Sequence, residues 1–329
     1  MRYAVLVGVA LFMSLAAGCV GGWVSEGTPT DADLYAVFGV SSSDVFAVGA
    51  NGTVLRRQNS KWRELDSGTK EDLWGVWGTS DEHIVVVGDN CSALEYNGPI
   101  EPPEEGEPPP DLRELNVATC GDFRDLHGPS DGNSAFVVGE RTSAQWYGGG
   151  GLSNGRNFNE RMQGVSMVVQ DEIFATGDEG AYYRKHDGSW TQHTVTLCGV
   201  VLVDGVCPEG HEAPAILWDV WADADGAGAV VGNFGGMWLL PPPEEGFWEA
   251  LPTDFSSDLR AAYGYVDSKG QAIVYAAGHN GVLVRIKPDG GMIREAPGTH
   301  ENLYGIWVSD DGAHVYAVGA GGTVVHYSK

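Results

Sequence analysis

Short apolar runs separated by Gly, Asn, Asp and Ser recur along most of the chain. The clearest unit reads Leu34-Tyr35-Ala36-Val37-Phe38-Gly39, a Ser-rich turn, Asp44-Val45-Phe46-Ala47-Val48-Gly49, the turn Ala50-Asn51-Gly52, Thr53-Val54-Leu55-Arg56-Arg57, and finally Lys61-Trp62-Arg63-Glu64-Leu65. Runs this short, bounded by turn formers, predict four β-strands joined by tight turns. An inner strand buried on both faces must be almost wholly apolar, and the turn after the second strand needs Gly where φ is positive.

The same order returns at Leu73-Trp74-Gly75-Val76-Trp77-Gly78 with Ile84-Val85-Val86-Val87-Gly88, and at Leu303-Tyr304-Gly305-Ile306-Trp307 with Val315-Tyr316-Ala317-Val318-Gly319. Weaker copies start at Phe123, Met162, Leu217 and Leu259, which places the Gly that closes the second strand at Gly49, Gly88, Gly139, Gly177, Gly232, Gly278 and Gly319. The shortest spacings are near forty residues, about one propeller blade each. A lone four-stranded sheet cannot bury both faces, whereas a ring of twisted sheets buries each against its neighbours. The fold class predicted is therefore all-β, a single seven-bladed β-propeller over residues 19–329 with almost no helix.

The last copy stops after its third strand at Val324-Val325-His326-Tyr327, and Gly22-Trp23-Val24-Ser25-Glu26 mimics the fourth-strand segment Lys61-Trp62-Arg63-Glu64-Leu65. The N-terminal strand is thus expected to complete the last blade, which removes an open sheet edge.

The Leu-Trp-Gly-Val-Trp-Gly and Ala-Val-Gly-x-x-Gly-Thr cores, with the hairpin His186-Asp187-Gly188-Ser189-Trp190, resemble the propeller superfamily of photosystem II assembly and stability factors, and more loosely the BNR-like and YVTN repeats. The resemblance implies architecture across the whole mature chain. The chaperoning of a membrane complex that it would also imply has no other support in the sequence, because fold does not carry function.

Ahead of the repeats, Met1-Arg2-Tyr3 precedes an apolar run from Ala4 to Ala17 and then Gly18-Cys19. One positive charge, a short apolar segment and small residues before a cut predict an export signal over 1–18, too short to span a bilayer comfortably. Leu15-Ala16-Ala17-Gly18-Cys19 resembles a bacterial lipobox, although Ala16 stands where a bulkier residue is usual. It implies a lipidated Cys19, with palmitate-type acyl chains, and a lipoprotein of the bacterial cell envelope, in the outer membrane facing the periplasm or the cell surface. Only Val20 and Gly21 separate Cys19 from the closing strand, a reach of roughly 7 Å. The disc is expected to sit against the bilayer with the face bearing the third-to-fourth turns toward it. The acidic proline segments 99–111 and 241–246 decorate that same face, as solvated turns or as a docking site for a cation or basic partner.

A net charge of −26, from 45 acids against 19 bases, repels phosphate backbones at long range and argues against nucleic acid. With 48 glycines and 10% aromatics, the composition is that of a turn-rich β protein and not of a disordered acidic chain. Four cysteines remain after Cys19. In an oxidising compartment they predict two disulfides, Cys91–Cys120 across a long insertion and Cys198–Cys207 within a hairpin-like one.

Catalytic patterns are weak. Gly128-Pro129-Ser130-Asp131-Gly132 fits a nucleophile-elbow string but falls in a blade turn, in register with Ser41-Ser42-Ser43-Asp44, without the strand-to-helix context that chemistry needs. Asp223-Ala224-Asp225-Gly226 lacks the distant Glu of a calcium loop and reads as ordinary turn chemistry. No paired His or Cys spacing supports zinc, and neither a metal nor a cofactor is expected. The best binding candidates are the second positions of the aligned inner strands, Tyr35, Trp74, Arg124, Gln163, Trp218, Arg260 and Tyr304. If they rim the central opening they offer aromatic faces and guanidinium groups, a mixture enriched at binding sites; the alternative is packing between blades. The functional expectation is an exported, lipid-anchored binding or scaffolding protein that holds an envelope protein or polysaccharide. The rivals are a carbohydrate-active hydrolase or lyase with its site in the channel, and a calcium-stabilised surface protein. Nothing in the sequence signals an oligomer.

Overall fold

The computed structural model describes residues 22–99, 110–129, 132–147, 151–196, 214–241 and 250–329. Its strands form seven antiparallel sheets. Blade one is Leu34–Ser41, Asp44–Gly49, Val54–Gln58 and Lys61–Leu65, and blade two is Leu73–Ser80, His83–Gly88, Ala93–Tyr96 and Arg113–Glu114. Blades three, four and six have inner strands Phe123–His127, Met162–Val169 and Leu259–Val266. Blade five has three strands among the described residues, Leu217–Ala222, Gly228–Gly232 and Met237–Leu240, and along its outer edge the Leu251 N–H donates to the Met237 carbonyl at 2.7 Å. Every inner strand begins at the residue where the repeat was marked.

Blade seven closes the ring as expected. Leu303–Val308, His314–Gly319 and Val324–Ser328 are completed by Gly22–Glu26, whose register runs from Gly22 opposite Ser328 to Glu26 opposite Val324. Glu26 then ties this strand to blade one. Its carboxylate accepts from Arg57 Nε and Nη2 at 2.7 and 2.8 Å and from Trp62 Nε1 at 2.7 Å. A two-pronged guanidinium–carboxylate pair fixes orientation as well as distance.

Burial explains why these runs are strands in a ring. Second strands such as Asp44–Gly49 are buried on both faces after their first residue, whereas the outer strand Lys61–Leu65 buries only Trp62 and Leu65. The first inner-strand residues, Leu34, Leu73, Phe123, Met162, Leu217, Leu259 and Leu303, are fully buried, each contributing about 1.5 to 3 kcal/mol. The apolar clusters lie between blades. One joins Trp221, Ala229 and Val231 of blade five to Leu259, Val274 and Val284 of blade six.

The turns after the second strands carry glycine at positive φ as expected, at Gly52, Gly180, Gly235, Gly281 and Gly322, and the closing glycines before them have a separate cause. Gly49, Gly177, Gly278 and Gly319 have φ of −172°, −169°, −166° and −172°, ordinary extended backbone. Positive φ falls later in the turn, as at Asn51 (55°) and Gly52 (75°). What excludes a side chain at the closing position is space. A Cβ on Gly49, Gly278 or Gly319 would lie 1.9 to 2.0 Å from the carbonyl oxygen of the residue preceding the inner strand. By contrast, the hairpin at His186-Asp187-Gly188-Ser189-Trp190 turns on two positive-φ residues, Asp187 (47°) and Gly188 (77°), the twist-matched form for adjacent strands.

The expected Cys91–Cys120 disulfide is present, with Cα atoms 4.9 Å apart across a sequence separation of 29. It is worth roughly 3 to 4 kcal/mol in the loop-entropy picture. Asp223 serves its turn, its Oδ1 accepting from the N–H groups of Asp225 and Ala227, both at 2.9 Å. Gly132 N–H donates to the Pro129 carbonyl at 3.1 Å, a turn where the nucleophile-elbow string was found; Ser130 and Asp131 lie outside the described residues. So do Cys19 and the leader, the Cys198–Cys207 hairpin, and most of both acidic proline loops.

Candidate functional site

The inner strands surround a central cavity of about 590 Å³. All seven second-position residues, Tyr35, Trp74, Arg124, Gln163, Trp218, Arg260 and Tyr304, line it, and all are half-buried. The inner strand pairs antiparallel with the second, so that Leu34 lies opposite Gly49 and Leu303 opposite Gly319. The second-position residues therefore sit at the end of the channel that carries the turns after Gly49, Gly88, Gly177, Gly278 and Gly319. Gly22 and Ser328 lie at the opposite end, because Ser328 also pairs with His314, at the start of its strand.

Around the mouth the side chains form two stacked groups. Tyr35 lies parallel to Trp74 at 4.0 Å, with Tyr304 tilted 5.9 Å away on its other side, and Arg124 caps Trp74 at 4.5 Å. Across blades five and six Arg260 lies over the Trp218 ring at 3.4 Å. A cation over an indole face is attracted by the ring's quadrupole, more so where water is excluded.

Carboxylates ring this mouth for a structural reason. Asp72 accepts from Asn51 N–H at 2.9 Å, Asp122 from Asn90 N–H at 2.9 Å, Asp258 from Phe234 N–H at 2.9 Å and Asp33 from Gly321 N–H at 2.8 Å. Each acid immediately precedes an inner strand and satisfies the turn of the preceding blade. Asn302 does the same for Asn280 at 3.0 Å. Burial, together with Asp72, Asp33, Tyr304 and Asp89, pushes the Tyr35 hydroxyl up to about 12. Burial also raises Asp89, although Trp74 Nε1 donates to it at 3.0 Å and Arg124 lies 3.2 Å away. At Arg260 burial disfavours the charged form, and at His279 burial and then the Arg260 charge do so.

One step deeper the third inner-strand position reads Ala36, Gly75, Asp125, Gly164, Asp219, Ala261 and Gly305. Two acids thus occupy an otherwise small column, an irregularity visible in the aligned repeats but passed over in favour of the aromatic column beside it. Both are spent on the scaffold. Asp125 accepts from Leu126 and Val165 N–H at 2.8 Å each, and Asp219 from Val220 at 2.7 Å and Ala262 at 2.8 Å. Each thereby bonds its own strand and the strand of the next blade. Burial pushes Asp125 up to about 7; burial, then repulsion from Asp125, raises Asp219. His127 accepts from Met167 N–H through Nδ1 at 3.0 Å, and burial holds it down to about 4, hence neutral. With both oxygens of each acid occupied by backbone, the pair lacks the free carboxylates on either side of a scissile bond that glycoside hydrolysis uses.

No family model and no curated protein sequence matches the chain. Solved structures do. A structure of YCF48 bound to a D1 peptide superposes with a TM-score of 0.66 at 17% identity, covering 93% of this chain and 95% of that one. The WD40 β-propeller domain of Doa1 superposes at 0.69 with 13% identity, covering 94% and 97%. YCF48 from Cyanidioschyzon merolae gives 0.60 at 16%, covering 93% and 98%. At such identities the likeness establishes the seven-bladed propeller and nothing finer.

Proposed function

We propose that this chain is an exported, lipid-anchored binding or scaffolding protein of the bacterial envelope whose channel mouth receives a partner, a protein in preference to a polysaccharide. The observation that carries the reading is the convergence of all seven second-position side chains on one cavity, with aromatic faces and hydrogen-bond donors turned inward. A cavity of about 590 Å³ falls within the roughly 300–1,000 Å³ of ordinary ligand sites. One similar propeller, YCF48, has been seen with a peptide bound, which favours protein over glycan. The hydrolase reading loses ground because Asp125 and Asp219 are engaged by backbone N–H groups.

Photocrosslinking in cells tests the site. A photoreactive residue at Tyr304 should capture a discrete partner, identified by mass spectrometry, that the same group at Val169, exposed at the turn end of an inner strand on the opposite face, does not. Capture from Val169 alone would sink the mouth as the site. For the anchor, metabolic labelling with a palmitate analogue should mark the wild-type protein and spare Cys19→Ser.

A further inference from the structure

At the channel mouth nearly every charge already has a protein partner. Asp33, Asp72 and Asp258 hold turn N–H groups. Asp89 faces Arg124 and Trp74, Asp178 accepts from the Gln163 amide at 2.8 Å, and Arg161 holds Glu140 at 3.0 Å. Arg260 is different. Among the described residues it makes no ion pair and no hydrogen bond; it lies flat on Trp218 and feels Asp258, Tyr304 and Asp178 only through space. Nearby, Trp218 Nε1 is buried without an acceptor among the described residues. Two donor groups on this wall, the Arg260 guanidinium and Trp218 Nε1, are thus unmatched among the described residues.

A second observation lies on the same face. Phe234 is 52% exposed at φ 55°, in the turn position that other blades fill with Asn51, Glu179, Asn280 or Gly321. The left-handed region disfavours bulky side chains, and an exposed ring gains nothing there in the free protein. Phe234 N–H is bonded to Asp258, two residues before Arg260, so the ring and the unmatched cation belong to one corner of the mouth.

Resting on the reading that the mouth is the binding site, we infer that it takes an extended peptide segment through one carboxylate, seated on Arg260, with a neighbouring apolar side chain against Phe234. A guanidinium stacked on an indole keeps its N–H edge free for the two-pronged grip that carboxylates fit. The net charge of −26 repels a strongly acidic tract, so a single carboxylate beside an apolar residue is the feature recognised.

The test is selection of a random hexapeptide library on immobilised wild-type protein, followed by resynthesis of enriched peptides with each side-chain or terminal carboxylate converted to carboxamide. Conversion of one carboxylate should weaken binding at least about tenfold to wild type and less than about twofold to Arg260→Gln, with Phe234→Asn weakening every peptide; circular dichroism confirms that both variants fold. Which carboxamide abolishes binding tells a C-terminal carboxylate from a side-chain one. Enriched peptides whose affinity ignores both the carboxylate and Arg260 would overturn this inference and leave the mouth as the site. Selected peptides whose affinity is changed by none of Arg260→Gln, Phe234→Asn, Tyr304→Ala and Tyr35→Ala would overturn both. Failure of peptides together with Arg260-dependent binding of uronic-acid oligosaccharides would overturn the peptide assignment.

Discussion

At single positions, the repeat is enforced by what will not fit. Gly278 shows this clearly, since its missing Cβ would stand 2.0 Å from the Asp258 carbonyl oxygen and backbone cannot be moved aside as a flexible side chain can. Gly278→Ala should lower stability by about 1 to 3 kcal/mol, read as a shift in urea midpoint, whereas Gly27→Ala, with nothing within 4 Å, should change it by less than about 0.5 kcal/mol. Asp125 and Asp219 give the opposite lesson, groups that fit sterically but are held away from their ordinary charge state. Because their folded-state pKa values are raised, their contribution is full below the unfolded value near 4 and is lost as pH rises, for Asp125 through about 7. The double variant Asp125→Asn, Asp219→Asn should therefore show a shallower fall in urea midpoint from pH 5 to pH 8 than the wild type; equal slopes would mean that the pair is ionised throughout. The closing glycines were legible as a column in the sequence, but their reason was not, since it depends on a carbonyl from a neighbouring strand. The acids preceding the inner strands went unread for a related cause. Asp72 and Asn51 are 21 residues apart, and an Asp before Leu looks like any turn residue until the blades are side by side.

Among the elements, the closing strand Gly22–Glu26 carries a concentrated polar network. Glu26 accepts from Arg57 and Trp62, and His326 Nδ1 lies 3.1 Å from it while His326 Nε2 meets His314 Nδ1 at 3.0 Å. Two histidines sharing one hydrogen bond cannot both be charged without repulsion, and burial followed by the His326 charge lowers His314. Hydrogen bonds from His326, Arg57 and Trp62 outweigh burial and bring Glu26 down to about 2. Both shifts are depressions, so both contributions are present at neutral pH. That of His314 fades as pH falls below about 6.5, and that of Glu26 fades from about 4.5 toward 2. Acid should accordingly loosen this strand before the rest of the ring. Hydrogen exchange between pH 7 and pH 4 should show protection falling first at Val24 and Glu26, and Glu26→Gln should cost about 1 to 2 kcal/mol at pH 7, allowing for solvent screening of a part-buried group. Uniform loss across all blades would refute a local latch. The strand itself was readable from its likeness to Lys61–Leu65; its partners were not, because Glu26 and His326 are separated by 300 residues and meet only on closure.

For the whole molecule, the antiparallel order within each blade decides which face is offered to a partner. Gly22 pairs with Ser328, and Lys329 N–H donates to the Ala313 carbonyl at 3.0 Å, which puts Gly22 and Lys329 with the turn at 309–313. The mouth, with Tyr35, Trp74, Arg260 and Phe234, opens on the other face. Were Cys19 lipidated, the few residues before Gly22, with a reach of roughly 7 Å from Val20 and Gly21, would hold the disc close to the headgroups. The channel mouth would then point away from the bilayer. The chain's net charge of −26 works against a close approach to anionic lipid, so this geometry is expected on zwitterionic membranes and should open as anionic lipid is added. Spin labels on lipid-anchored protein in phosphatidylcholine liposomes measure it. A label at Ser43 or Asp310, both exposed on the anchor side, should show strong depth-dependent relaxation from the membrane, and one at Asn280, exposed beside the mouth, should show none. Equal depths would indicate a disc that tumbles on its tether, and reversed depths a mouth pressed against lipid; either would remove the orientation while leaving the ring and its cavity as they are.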